Sequence, residues 1–375
     1  MTVMLAARAY EGTGGLRLEK LPVPEPGPHD VLVRVASAGL APGIMKLLAR
    51  GAFRFLPTTP GHEIAGTVTA VGAEVPEADG ALLGRRVRVH PVLSCRNCAY
   101  CRTDREQMCA ESAMIGHAAF GTGSLKLYER YHDGGLAEYV RVPSWLVDVL
   151  PDGVSTDVGA KVHDLGNAVR ALRCAALPEG GTLVITAATG TMGTATIKLA
   201  PFHGAGRLVL VGRSAERLDA LRPLAGSLPV ETVALDDLPE GWEQEDGLTR
   251  RIRELVPGGP EAVIDYLPQG PGTGQALGSL ATGGTLVHMG GNATPLPFDI
   301  RVIMHRCWRV VGTRSCTRSD TAAVLELLAS GALRADDLIT HRFALTDVND
   351  AVAAMNDRRE PMWMSVVRPD GEGNL

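Results

Sequence analysis

The sequence predicts an α/β protein in two parts, a compact all-β unit followed by a doubly wound parallel sheet. Three observations carry this. At 375 residues the chain exceeds what one hydrophobic core usually organises. Up to about Leu150 it shows short β-like runs broken by Gly and Pro, the texture of an all-β unit. Beyond Pro151, apolar strands alternate with helical stretches, which implies a parallel sheet covered by helices on both faces.

The β runs of the first part are Val31–Val35, Gly66–Val71, Arg86–Val89 and Ala137–Val142. A long helix is expected over Val158–Leu177. Strands Thr182–Ile185, Leu208–Val211, Ala262–Ile264 and Thr285–His288 then alternate with helices Thr191–Ala200, Ala215–Leu221 and Gly274–Leu280. Pro201 is expected to end or kink the first of these helices at its last turn, because it lacks the N–H that another turn needs. The acidic stretch Asp236–Asp246, with Pro239 and Gly241, reads as a surface loop. After Gly312, helices Thr321–Ser330 and Val348–Asn356 flank a short strand at His341–Phe343, a tail expected to pack back on the first part.

Composition excludes several classes. No apolar run approaches the ~20 residues of a membrane helix. Net charge is −5, and basic residues such as Arg250, Arg251 and Arg253 alternate with acids, so no nucleic-acid surface is expected. The stretch Met1-Thr2-Val3-Met4 opens no Lys/Arg-led apolar segment, which makes the cytoplasm the expected compartment.

Cys95, Cys98, Cys101 and Cys109 form C-x2-C-x2-C-x7-C among mostly polar residues, a spacing that brings four thiolates onto one tetrahedral zinc. Such a closed site organises a loop and leaves no position for chemistry. Cys174, Cys307 and Cys316 lie far from it and read as small buried hydrophobes.

Strand Thr182–Ile185 runs into Ala188-Thr189-Gly190-Thr191-Met192-Gly193 and then a helix, an A-x-G-x-x-G variant of the dinucleotide turn. There a pyrophosphate meets free N–H groups and a helix dipole. An acid at the end of the second strand would bind the ribose hydroxyls of NAD. Leu208–Val211 ends instead in Gly212-Arg213-Ser214, with Arg217 one turn on, and a base without an acid suits the 2′-phosphate of NADPH. Leu267, Met289, Gly290 and Thr313 follow later strands and are expected to line the cofactor crevice, whereas His288 reads as a packed strand histidine.

These features together resemble the medium-chain dehydrogenase/reductase superfamily, the zinc alcohol dehydrogenases and their quinone-reductase-like relatives. The resemblance rests on Gly61-His62-Glu63 with Gly66, the four cysteines, Asp133-Gly134-Gly135-Leu136-Ala137-Glu138-Tyr139 and the turn 188–193, and it covers essentially the whole chain. It implies a GroES-like β domain over 1–155 and 313–375, with a structural zinc lobe at about 93–112, and a Rossmann domain over 156–312. It also implies that Asn167 contacts the nicotinamide, that the substrate is a small molecule, and that the chain forms a homodimer or homotetramer.

The family's catalytic-zinc segment, G-x-C-G-[TS]-D-x-x-H, is poorly matched. Here Gly39-Leu40-Ala41-Pro42-Gly43-Ile44-Met45-Lys46 has no ligand at Ala41, no hydroxyl at Gly43 and no acid at Ile44. Its third ligand falls near His163. His62 and His163 leave the count short of the three protein ligands of a catalytic zinc, with Glu63 or Asp164 as possible thirds. The expected catalytic groups are therefore His62, Glu63, His163 and Lys46, managing one proton beside a hydride transfer. The expected activity is NADPH-dependent reduction of a C=O or conjugated C=C bond without catalytic zinc. The alternatives are a zinc alcohol dehydrogenase with ligands His62 and His163, or a non-catalytic NADPH-binding protein.

Overall fold

The computed structural model describes residues 2–41, 43–76 and 81–371. In chain order the strands are β1 (Val3–Arg8), β2 (Arg17–Pro22), β3 (Asp30–Gly39), β4 (Glu63–Val71), β5 (Arg86–Val89), β6 (Val92–Leu93), β7 (Ala113–Met114), β8 (Tyr139–Pro143) and β9 (Val147–Val149). The alternating half supplies β10 (Gly181–Ile185), β11 (Ala205–Gly212), β12 (Val230–Ala234), β13 (Ala262–Asp265), β14 (Thr285–His288) and β15 (Arg309–Gly312). The tail supplies β16 (Ile339–Ala344) and β17 (Met364–Arg368).

The first compact unit comprises residues 1–163 and 317–375. Its main sheet runs β16-β17-β3-β4-β5-β9, with β8 also paired to β3. The inward faces of β3, β4 and β5 supply Val31, Val33, Val35, Ile64, Val68, Val87 and Val89 to one core. Each such side chain contributes about 1.5–3 kcal/mol by leaving water. The tail does return to this unit: β17 pairs antiparallel with β3 and parallel with β16.

The second unit, residues 164–316, holds a six-stranded parallel sheet in the order β12-β11-β10-β13-β14-β15. This 3-2-1-4-5-6 arrangement is that of a Rossmann fold, whose order reverses at the first strand. Val184, Val209, Val211, Val263 and Leu286 of the sheet pack with Leu248, Ile252 and Leu277 of its helices. The two units divide at His163, inside helix Thr156–Ala175, and at Cys316, whereas the sequence expectation put these breaks at 155 and 312.

Several elements escaped the sequence reading. β12 and β15 are edge strands; β12 interleaves Glu231 and Thr232 with its apolar residues and β15 is mostly exposed, so neither shows an apolar run. Helix Gly247–Leu255 buries Leu248 and Ile252 and turns Arg250 and Arg251 outward, which in sequence resembles a plain charge run. Cys307 corrects an expectation: it is exposed, in a left-handed turn, while Cys316 is buried and Cys174 intermediate. Among the described residues no helix is long and apolar enough to cross a membrane.

Candidate active site and metal centre

All the candidate catalytic and metal residues fall in the first unit, and all the candidate cofactor residues in the second. The candidate catalytic group is built where β4 begins. Gly61 takes φ 103°, open to glycine at little cost. Its N–H donates to Gly116 O at 2.9 Å and its carbonyl accepts from Gly135 N at 2.7 Å, so the G-H-E turn, the Gly116 turn and the D-G-G motif are tied together. Asp133 completes the tie by accepting from Thr59 N at 2.7 Å and from Arg8 at 2.6 Å.

This junction brings three imidazoles together. The ring centroid of His62 lies 4.5 Å from that of His117 and 5.1 Å from that of His163, both edge-on. The side chains of His62 and His163 are buried. Burial, then the neighbouring His117, His163 and Lys161, hold the His62 imidazole well below its usual range. Burial pushes His117 down to about 4. Both rings are therefore neutral near pH 7, able to donate one hydrogen bond and accept another. Among the described residues, His62 Nδ1 and His117 Nδ1 are buried without a hydrogen-bond partner.

Glu63 lies behind His62, with Oε1 3.6 Å from His62 Nε2 and Oε2 2.5 Å from Lys161 Nζ. Both members of the Glu63–Lys161 pair are 1% exposed. The carboxylate fits because the facing residue of β3 is Gly39: a Cβ there would stand 1.8 Å from Glu63 Oε2. Sequence reasoning missed Lys161 and His117. Nothing local marks either one, since His117 is a lone histidine in a loop and reaches His62 only because Gly116 is bonded to Gly61. Lys46 is exposed on the short helix Ile44–Ala49, and among the described residues its side chain makes no hydrogen bond or ion pair, while its carbonyl accepts from Arg50 N at 3.1 Å. Ala41 is buried and offers no ligand atom, and Pro42 lies outside the described residues.

The cysteine lobe fits a metal. The Sγ atoms of Cys95, Cys98, Cys101 and Cys109 lie within 4.8 Å of one another, and backbone N–H groups of Cys95 and Glu111 donate to Cys109 Sγ at 3.5 and 3.3 Å. Such donors support a thiolate ligand. Among the described residues this is the one group of three or more His, Cys, Asp or Glu ligand atoms gathered so closely, so the imidazoles do not reach the same convergence. Between its cysteines the lobe presents Asp104, which accepts from Thr317 Oγ1 at 3.2 Å and from Ser319 Oγ, and just before Cys109 it presents Glu106, which accepts from Arg318 N at 2.6 Å. The lobe thus grips the start of helix Arg318–Ala329.

In the second unit, β10 ends in a turn in which Ala187 is left-handed and Gly190 caps helix Thr191–Leu199 without a side chain. The first turn of a helix directs N–H groups outward from its start, the arrangement that favours an anion there. A Cβ on Gly193 would lie 2.4 Å from Ala188 O, so glycine allows the helix to pack on the turn, as a dinucleotide site requires. At the end of β11, Gly212 is buried and Arg213 exposed, and Ser214 Oγ caps the next helix by accepting from Arg217 N at 3.5 Å. Among the described residues no ion pair or hydrogen bond engages the Arg213 guanidinium. Met289 N donates to Asp265 O at 3.0 Å and Thr313 N to His288 O at 3.2 Å, which sets those two beside Leu267 and Gly290 at the strand ends.

A Rossmann sheet with a glycine turn, in one chain with a G-H-E β unit and a four-cysteine lobe, defines an oxidoreductase of the alcohol dehydrogenase type. Comparison with known proteins agrees. Residues 27–152 match the alcohol dehydrogenase GroES-like domain and residues 191–330 the zinc-binding dehydrogenase domain. The "Probable D-xylulose reductase A" of Emericella nidulans is 28% identical, covering 92% of this chain and 91% of its own. Sorbitol dehydrogenase of Pongo abelii is 27% identical, covering 91% and 89%. A "putative zinc-binding dehydrogenase" of Sinorhizobium meliloti 1021, solved bound to NADP, superposes with a TM-score of 0.84 at 26% identity, covering 98% of this chain and all of that one. The chain belongs to the medium-chain dehydrogenase/reductase superfamily.

Proposed function

We propose that the protein is an NADP(H)-linked oxidoreductase that moves hydride between the nicotinamide and a C=O or conjugated C=C bond of a small metabolite, without zinc in its catalytic pocket. The observation that carries the metal-free reading is Ala41, which puts a methyl group where the family supplies a ligand. The open geometry of the imidazoles, beside the tight convergence of the four cysteines, supports it. The nicotinamide supplies the hydride. The chain's part is to orient the acceptor and manage a proton, a task assigned to neutral His62 and to His163, with Glu63 and Lys161 holding charge behind them and Lys46 a lesser candidate.

For the cofactor, Gly190, Thr191, Met192 and Gly193 take the pyrophosphate, and Gly212, Arg213, Ser214 and Arg217 take the 2′-phosphate. Asn167, Leu267, Met289, Gly290 and Thr313 face the nicotinamide half. The exposed Arg213 guanidinium and the NADP-bound relative support NADP over NAD. The lobe carries one structural zinc. A homodimer or homotetramer in the cytoplasm is the proposed state, in keeping with seven free cysteines and with Ile300 and Met304 exposed in the second unit. Xylulose and sorbitol, named in the relatives, are the first substrates to try.

Fluorescence titration tests the cofactor. Arg213→Ala should weaken NADPH roughly 10- to 100-fold, the worth of a charged hydrogen bond, and leave NADH unchanged. Equal effects on both, or tighter NADH binding by the wild type, refute the NADP assignment. A second reading, a metal held by His62, His117 and His163, is favoured by the partnerless Nδ1 atoms of His62 and His117. Elemental analysis separates the two: one zinc per chain supports the metal-free pocket and two support the second reading.

A further inference from the structure

Asp265, the last residue of β13, is wholly buried and accepts three side-chain hydrogen bonds. Its Oδ1 accepts from Thr186 Oγ1 at 2.5 Å, and its Oδ2 from Thr273 Oγ1 at 2.9 Å and from His288 Nδ1 at 2.7 Å. On the far side of the ring, His288 Nε2 accepts the backbone N–H groups of Gly291 and Asn292 at 3.1 and 3.2 Å. A nitrogen facing two N–H donors carries no proton, so this imidazole is neutral with its hydrogen on Nδ1, pointed at the carboxylate.

Asn292 extends the tie. Its Nδ2 donates to Gly270 O and to Thr273 Oγ1, both at 2.9 Å. The two turns also touch directly, since a Cβ on Gly290 would stand 2.4 Å from Leu267 O. One neutral ring therefore welds the turn after β14 to the turn after β13, and both lie at the carboxyl ends of neighbouring parallel strands, where a doubly wound sheet takes its ligand. A valine at 288 would pack in the strand equally well. It would leave Asp265 short of a donor and two backbone N–H groups without an acceptor.

We infer that His288 is a positioning residue for the cofactor: clamped by Asp265, it fixes the 289–292 turn so that backbone from Met289 and Gly290 meets the nicotinamide half of the dinucleotide. The inference rests on the cofactor reading above. Two replacements in the full-length protein separate the two ends of the ring. H288N keeps a donor near the Nδ1 position and loses the acceptor for Gly291 and Asn292, whereas H288Q places its Oε1 near the Nε2 position and restores that acceptor.

The readouts are amide hydrogen exchange over 289–292 in cofactor-free protein, the NADPH dissociation constant, and the split between cofactor KM and kcat. In H288N, exchange in the turn should accelerate and NADPH should bind about tenfold more weakly, as expected when two backbone N–H groups lose their acceptor. KM should rise with kcat little changed, and H288Q should recover most of the affinity. Unchanged turn exchange, or wild-type NADPH affinity in both variants, overturns the inference and leaves the cofactor reading standing. A wild-type protein that binds neither NADPH nor NADH overturns the cofactor reading, and the inference falls with it.

Discussion

Replacing Lys161 by methionine should destabilise the protein by about 3–5 kcal/mol, because it removes the ammonium from a carboxylate that stays buried. The pair is 2.5 Å apart with each side chain 1% exposed. At an effective dielectric constant of about 20, that separation gives a gross attraction of about 7 kcal/mol. Desolvating both ions offsets much of it, which is why an intact buried pair adds little over an apolar one while a broken pair is costly. Glu63→Gln, which leaves the Lys161 ammonium buried without its carboxylate, should also destabilise, and the double variant should cost less than the two single costs added together. Urea unfolding at pH 7, followed by circular dichroism, measures all three. A Lys161→Met loss below about 1 kcal/mol, or additive costs in the double variant, would refute the reasoning.

Two further outcomes follow from the same unit. His117 sits at about 4, with His62 and His90 also held well below the usual imidazole range by burial, while in the unfolded chain each titrates near 6.5. Between those values the unfolded state binds more protons, so stability falls as pH drops from about 6.5 towards 4, and His117 alone accounts for about 2 kcal/mol of the loss at pH 5. His117→Phe should flatten the decline in urea midpoint between pH 7 and pH 5; a slope matching the wild type would count against it. Cys101→Ser, or zinc removal by a chelator, should speed hydrogen exchange over 317–321, because Asp104 and Glu106 lose the scaffold that aims them. Unchanged protection there would separate the lobe from that helix start.

Much of the architecture is legible from residues that act locally. The four cysteines are close in sequence, and the spacing that predicts their convergence is met by Sγ atoms within 4.8 Å. Gly190 and Gly193 are legible because strand, turn and helix are contiguous. The opposite holds for Lys161, whose carboxylate partner is 98 residues away and whose helix position suggests only a solvated cation. His117 is hidden in the same way, since its placement depends on Gly116 meeting Gly61 through the backbone. Edge strands β12 and β15 lack an apolar signature, the first because Glu231 and Thr232 interrupt it and the second because water covers most of it. His288 shows a subtler limit: periodicity marks a strand residue, yet only the three-dimensional list of donors shows that it fastens two turns.

The seating of β17 beside β3 has a consequence for biosynthesis. Val366 pairs with Gly39, 366 − 39 = 327 residues earlier. At about 5–20 residues per second, a ribosome needs on the order of 16 to 65 s to deliver the late partner after the early one has emerged. An unpaired strand margin in a nascent chain invites pairing with other chains. Here the hazard is confined, because β8 takes residues 30–34 of β3 much sooner and leaves the tail to close the short stretch at Ala38 and Gly39.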